Sequence, residues 1–199
     1  MPPSVRITEE LILDAAVELV RERGADSVNA RELAKTLGCS VQPIFRVFGS
    51  MENLKQQLYK RAEGMFDAIM TQEIARWGIP FLGRNLAYVE FANEERNLYR
   101  FLFGSGVREA GSILERIKEQ QGQTKADQIS AMMGISETQA RQLTEDTWLI
   151  TQGLAALAAE NPSKLREEEM VRLLNVVAES FMGLGHEMRK KQPGQDKRL

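Results

Sequence analysis

The chain has 199 residues and a net charge of −2, is 43% hydrophobic and 27% charged, and contains one cysteine. These values are typical of a globular protein in a reducing compartment, and they exclude an internal disulfide framework and non-specific coating of nucleic acid by net positive charge. We find no run of about 18 uncharged apolar residues and no leader-like segment, so we expect a cytoplasmic protein with no membrane span.

The first two predicted helices are marked by capping signals. Thr8 precedes two glutamates and a run of apolar residues at helical spacing, which predicts a helix that ends at Gly24. Asn29 and Glu32 resemble a capping box. We therefore expect a short second helix that ends at Gly38.

The next two predicted helices begin at serines. Ser40 is expected to cap a third helix, with Pro43 tolerated in the first turn because no amide partner is lost there. Gly49 ends this helix. Ser50 then caps a long fourth helix that we expect to reach about Trp77.

The rest of the chain also predicts helices, since we find no convincing strand pattern. The expected ranges are 80–94, 96–103, 112–121, a short helix within 122–135, 136–160 and 164–190. The predicted fold class is all-α, with a three-helix helix-turn-helix head and a helical-bundle body for ligand binding and dimerisation. The predicted boundaries are 1–60 for the head, 61–190 for the body and 191–199 for a disordered tail.

Residues 29–48 predict a helix-turn-helix. Gly38 suits the tight turn between two steeply crossing helices, and the following helix would present its N-terminal residues to the major groove of DNA. There Gln42 suits adenine and Arg46 suits guanine or a phosphate, while Arg31 on the supporting helix can reach a phosphate. The alternative interpretation of the same pattern is a helical corner with solvated polar residues.

Taken in order, the motifs of residues 8–59 resemble the DNA-binding head of the TetR/AcrR family of repressors. The matching segments are Ile12-Leu13-Asp14-Ala15-Ala16, Val28-Asn29-Ala30-Arg31-Glu32-Leu33-Ala34, Gly38-Cys39-Ser40, Phe45-Arg46-Val47-Phe48 and Ser50-Met51-Glu52-Asn53-Leu54. The resemblance implies a homodimer that binds double-stranded DNA at an inverted-repeat operator. It also implies that a small organic effector in the body releases the DNA.

The sequence departs from the family pattern at three phosphate donors. Phe45 stands where a tyrosine is frequent, Val47 where a histidine is frequent, and Met51 where a lysine is frequent. We therefore expect weaker non-specific DNA binding and a shallower salt dependence than in a donor-rich relative. The predicted DNA-contacting residues are Asn29, Arg31, Ser40, Val41, Gln42, Pro43, Phe45, Arg46, Ser50 and Lys55.

Two helices of the body carry apolar residues at alternating spacings of three and four, the pattern of helix-bundle seams. Each also has a second apolar face, so one face can pack within the protomer and one against a partner. The resemblance favours a four-helix dimer interface, and the alternative is that both faces belong to the protomer core. The predicted interface residues are Ile150, Leu154, Leu157, Leu174, Val177, Phe181 and Leu184.

The segment from Trp148 to Ala155 resembles a body subtype with a Trp-x3-His-Gly signature, with Gln152 in place of the histidine. Aromatic residues concentrate in the body, and an aromatic pocket with one polar anchor suits a flat or amphipathic organic ligand. We name Phe91, Phe103, Trp148 and Gln152 as candidate effector contacts, against the alternative of a filled core. No cofactor or metal is expected.

Three other functions are alternatives to a repressor. An enzyme is disfavoured because the sequence shows no nucleophile–base set, no Gly-rich phosphate loop and no metal-spaced cluster, and it has a single histidine. A protein-interaction adaptor that has lost DNA binding would explain the missing phosphate donors. A transcriptional activator on the same head stays open, since nothing in the sequence separates activation from repression.

Overall fold

The computed structural model describes residues 7–78, 80–104, 124–160, 166, 168–173 and 175–176. Within these ranges the regular secondary structure is entirely helical, as the sequence predicts. The helices are α1 (Glu9–Arg23), α2 (Ala30–Thr36), α3 (Gln42–Phe48), α4 (Met51–Trp77), α5 (Pro80–Glu94), α6 (Arg96–Phe103), α7 (Thr124–Met133) and α8 (Glu137–Glu160). The predicted helix 112–121, the predicted tail and much of the predicted helix 164–190 lie outside the described residues.

The predicted caps at Thr8, Asn29 and Ser50 are confirmed, and Ser136 caps α8 in the same way. The side-chain oxygens of Thr8, Asn29, Ser50 and Ser136 each accept a hydrogen bond from a backbone amide in the first turn of the helix that follows. Each cap satisfies amides that the helix itself leaves without a partner, which stabilises a helix start by about 1 kcal/mol.

Two local predictions are wrong. Ser40 does not cap α3, because the first helical hydrogen bond runs from the amide of Phe45 to the carbonyl of Val41 over 3.3 Å, so Ser40 lies before the first turn. The Glu32 carboxylate does not complete a capping box either. It accepts a hydrogen bond of 2.7 Å from Arg23, so a charged partner on α1 competes successfully for it.

The head packs α2 and α3 against the buried face of α1. Gly38, in the turn between α2 and α3, has a φ of 62°, a left-handed conformation that glycine adopts without the steric cost of a side chain. The amide of Cys39 closes the turn by donating to the carbonyl of Ala34 over 2.9 Å. The fully buried side chains of the head are Ile12, Ala16, Val20, Leu33, Leu54 and, at 1% exposure, Ile44 and Leu58.

Helix α5 is the centre of the body, with α4 on one side and α8 on another. The buried residues of the head and of α4, α5, α6 and α8 form one continuous apolar cluster. The predicted boundary at residue 60 falls inside α4, between the buried residues Leu58 and Ala62 of that cluster. Head and body are therefore two regions that share a core.

A polar joint also connects the head to the corner between α5 and α6. The Arg21 guanidinium, near the end of α1, forms a bidentate ion pair with Glu95. The Asn97 side chain donates a hydrogen bond of 2.7 Å to the carbonyl of Arg21. Nearby, the rings of Tyr59 and Phe101 stack edge to face at 5.8 Å. The corner is thus bonded directly to the end of α1.

The α4–α5 crossing generates a prediction. A Cβ on Gly83 would lie 2.6 Å from the Cα of Ile74 and 2.7 Å from the carbonyl oxygen of Glu73, both rigid backbone atoms of α4. Gly83→Ala must push α5 away from α4, so we expect it to lower the free energy of unfolding by about 1–3 kcal/mol in denaturant titrations. Gly64→Ala is the matched control, since a Cβ there meets nothing within 4 Å and alanine favours the helix. Equal stability of the two variants would contradict the close crossing.

Candidate functional site

The helix-turn-helix is held rigidly from beneath. Leu33 and Ala34 anchor α2, and Ile44 and Phe48 anchor α3, and all four are buried against the head core. Because these anchors fix the rotation of α3 about its own axis, the same residues on the opposite side always face solvent. This is the requirement for a helix that enters a DNA groove.

The exposed face of α3 brings together most of the predicted reading residues. Val41 is 37% and Phe45 is 42% exposed, an unusual level for large apolar side chains on a head with a well-filled core. Gln42 and Arg46 are exposed beside them, and Pro43 is half-buried at the edge. An apolar and polar mixture of this kind suits base edges and thymine methyl groups.

Some cations of the head form no described ion pair, whereas other arginines of α1 and α4 are bound by carboxylates. Within residues 7–78, the side chains of Arg31, Arg46 and Lys55 are exposed and make no described hydrogen bond or ion pair, and the same holds for Lys35 and Lys60. Carboxylates bind the other arginines of this region, which are Arg21, Arg23, Arg61 and Arg76. Of the arginines without a described partner, Arg46 lies on the exposed side of α3, where a phosphate would meet it.

Two predicted DNA-contacting residues are engaged within the head. The side-chain oxygen of Asn29 accepts hydrogen bonds from the backbone amides of Arg31 and Glu32, both at 3.1 Å. The side-chain NH2 group of Asn29 donates to the Ser27 carbonyl over 3.2 Å. The Ser50 hydroxyl accepts from an amide of α4, which leaves its own proton to donate. Ser40 is exposed in the turn before α3.

Comparison with known proteins bears on this head directly. Residues 12–58 match the family model of bacterial regulatory proteins, tetR family. The head is thus similar to tetR-type heads, and this similarity supports the helix-turn-helix that its sequence motifs indicate. The match ends at residue 58, so the Trp-x3-His-Gly assignment of the body stays a prediction.

Two whole-chain similarities extend beyond the head. The chain is 22% identical over 192 residues to the HTH-type transcriptional regulator YobS of Bacillus subtilis (strain 168), covering 92% of this chain and 94% of that protein. It also resembles the crystal structure of a transcriptional regulator from Rhodococcus sp. Rha1, with a TM-score of 0.63 and 18% identity over 91% of this chain and 97% of that one. The latter similarity shows the fold of head and body together.

Two of the predicted effector contacts belong to an aromatic cluster in the body. Phe91 is fully buried, with its ring centroid 5.4 Å from that of Phe66. Phe103 is half-buried and packs against Phe66, Tyr88 and Tyr99 at 5.1–5.3 Å. These rings fill the space between α4, α5 and α6.

The other two predicted contacts lie on α8 among polar atoms that have no partner. Gln152 accepts a hydrogen bond of 3.0 Å from the hydroxyl of Tyr99, and burial raises the pKa of Tyr99 to about 12, so this donor stays protonated. The NH2 group of Gln152, the indole N–H of Trp148 and the hydroxyl of Thr147 are buried without a hydrogen-bond partner among the described residues. An unsatisfied buried polar group costs about 1–3 kcal/mol.

A cavity of about 100 Å³ lies elsewhere in the body, between α5, α7 and α8. None of the four predicted effector contacts lines it. Its lining residues are Pro80, Phe81, Arg84, Asn85, Gln128, Ile129, Met132 and Thr144. The one sequence signal for this site is an arginine, Arg84, inside an otherwise apolar first half of α5.

The predicted interface residues of α8 divide between two faces. Leu154 is buried in the protomer core instead of facing outward. Ile150 and Leu157 are 38% and 62% exposed, and Leu149, 46% exposed, joins them around the exposed Gly153. Leu174, Val177, Phe181 and Leu184 lie outside the described residues.

Two absences hold for the described part of the chain. It contains no group of three or more His, Cys, Asp or Glu residues placed to hold a metal ion. None of the described helices is both long enough and apolar enough to cross a bilayer.

The exposure of Phe45 yields a prediction about phosphate contacts. Phe45→Tyr places a hydroxyl on the exposed side of α3, and a new hydrogen bond to a phosphate should tighten binding to every duplex by about 2- to 10-fold. The slope of affinity against salt should not change, because a neutral donor releases no additional counterion. Fluorescence anisotropy with related and unrelated duplexes at several salt concentrations measures both quantities.

Phe103→Tyr, the same change in the body, is the control and should leave duplex affinity unaltered. Tightening by Phe45→Tyr on one sequence alone would show that this position contacts a base, against the phosphate assignment.

Proposed function

We propose that this chain is a homodimeric, sequence-specific transcriptional regulator, and that it represses by occupying an inverted-repeat operator until a small organic effector releases it. The observation that carries the proposal is the surface of α3, where exposed polar and apolar side chains occur together with the cation of Arg46 on a helix anchored by buried residues. The similarity of residues 12–58 to tetR-family heads supports the same function.

The proposed reading chemistry follows from the side chains that α3 presents. Gln42 has the donor and acceptor pair that matches adenine, and Arg46 has the fork that matches guanine. Val41 and Pro43 offer apolar surface to thymine methyl groups. Arg31, Lys55 and the Ser50 hydroxyl would bind phosphates and fix the head on the duplex.

The proposed dimer uses the exposed apolar face of α8. Leu149, Ile150 and Leu157 recur at helical spacing around Gly153, which has no side chain and permits close approach of a second helix. Isologous pairing of this face would relate the two heads by a two-fold axis. Their α3 helices would then enter successive major grooves about 34–36 Å apart.

The proposed release works through α4. One end of this helix packs in the head at Leu54 and Leu58, and the other packs on α5 at Phe66, so a shift of α5 tilts α4 and moves the head. The Arg21–Glu95 pair would transmit the same shift to α1. A coupling free energy of about 1–3 kcal/mol weakens operator binding by roughly 5- to 150-fold.

Selection of random duplex DNA by the purified protein tests DNA recognition. We expect enrichment of an inverted repeat, and the double variant Gln42→Ala, Arg46→Ala should lose it because both base-reading side chains are gone. The control double variant Gln72→Ala, Arg61→Ala removes the same residue types from exposed positions of α4 and should retain the enrichment. If folded wild-type dimer enriches no sequence, the head is a scaffold and the chain is an interaction adaptor.

Sedimentation velocity tests the dimer. Leu157→Glu places a charge at the most exposed apolar position of α8, and we expect it to produce monomers because burying an unpaired charge costs several kcal/mol. Leu11→Glu introduces the same charge at an exposed leucine of α1 and should leave the dimer intact. A dimeric Leu157→Glu variant would exclude this face as the interface.

A further inference from the structure

The cavity between α5, α7 and α8 is largely apolar with a single cation at its wall. Phe81, Ile129 and Met132 contribute apolar surface from two helices. Arg84 is half-buried beside them and makes no described hydrogen bond or ion pair. By contrast, Arg141 on α8 binds Glu137 at 3.1 Å, and Arg100 on α6 donates to the Ala159 carbonyl at 2.8 Å.

The other polar groups buried in the cavity wall already have partners. Asn85 donates to the Phe81 carbonyl over 2.7 Å and accepts from the Thr151 hydroxyl over 2.9 Å. The Thr144 hydroxyl donates to the Ala140 carbonyl over 2.8 Å. The donors left for a ligand are therefore those of Arg84 and, at the exposed edge, Gln128. A guanidinium beside apolar walls selects an anion, above all a carboxylate that it can bind through two hydrogen bonds.

The size of the cavity limits the ligand. Its volume is about 100 Å³. Because an apolar cavity of about 150 Å³ holds a benzene molecule, this space suits a short acyl chain as it stands, and it admits one ring when a lining side chain moves. Met132 is exposed at the edge, so a slightly larger apolar group gains room when this flexible side chain moves.

The helix that closes the cavity is attached weakly. α7 packs on α8 through a small cluster of Ile129, Ala140 and Leu143, which is separate from the main core of the protein. An element with few buried apolar contacts opens at low free energy. α7 can therefore move to admit a ligand, while α5, on the other wall, stays packed along α4.

We propose that this cavity binds a small monocarboxylate with one aromatic ring or a short acyl chain, whose carboxylate pairs with Arg84 and whose apolar part lies between Phe81 and Ile129. Its role as the effector site rests on the proposed function above. The binding itself does not depend on it. A ligand there contacts α5 directly, and α5 is the helix that packs against α4.

Isothermal titration calorimetry on the full-length protein tests the site with two acid–amide pairs, benzoate with benzamide and hexanoate with hexanamide. We expect at least one acid to bind saturably, once per protomer, and at least about tenfold more tightly than its neutral amide, because only the acid pairs with the guanidinium. Binding of neither acid, or equal binding of an acid and its amide, would overturn the proposal.

Two variants locate the binding. Arg84→Gln should weaken acid binding by about tenfold or more and leave amide binding unchanged. Arg141→Gln removes an arginine of α8 that is already paired with Glu137, and it should bind the acid as the wild type does. Thermal unfolding verifies that both variants are folded. Unchanged acid affinity in Arg84→Gln would overturn the assignment.

Operator release separates the two proposals. Anisotropy with the selected operator should show dissociation on addition of the acid in the wild type and not in Arg84→Gln. Saturable, Arg84-dependent binding without operator release would uphold the site and contradict the effector mechanism. A protein that binds its operator but no acid would uphold the regulator and contradict the site.

Discussion

Helix α4 supplies buried side chains to the head at one end and to the body at the other. Leu54 and Leu58 complete the head, and Phe66 joins the aromatic cluster of the body. The helix runs unbroken for 27 residues, so neither end can rotate independently of the other. The close crossing at Gly83 fixes α5 against it. The helix against which α3 packs is therefore also held by contacts made in the body.

The predictable parts of the fold were those decided by neighbours in sequence. Caps at Thr8 and Ser50 need only a side-chain oxygen and an amide two or three residues later, and they are found as predicted. The cap at Ser40 is wrong because the turn delays the first helical hydrogen bond by one residue. Glu32 departs from its predicted bond because its competitor, Arg23, lies on another helix, and no local pattern reveals that neighbour.

The candidate functional surfaces differ in how well the sequence alone predicts them. The exposed side of α3 was predictable because a short amphipathic helix has one way to bury Ile44 and Phe48. The exposed apolar face of α8 was not predictable, because this helix carries apolar residues on more than one side. Only the packing shows that Leu154 points inward and Leu157 outward. Aromatic composition located a filled cluster instead of the cavity. What distinguishes Arg84 is that it has no partner among the described residues, a property of three-dimensional packing alone.

The buried side of α8 also has a consequence for thermal stability. Thr147, Trp148 and Gln152 each bury a polar atom that bonds to nothing in the described structure, so native stability is lower than the packing density would permit. Apolar replacements of similar shape, such as valine at position 147, remove that penalty without opening a void. For a chain of this length each 1 kcal/mol gained corresponds to a rise of roughly 2–4 °C in melting temperature. A more thermally stable form of the protein can thus be sought within two turns of one helix, outside the head.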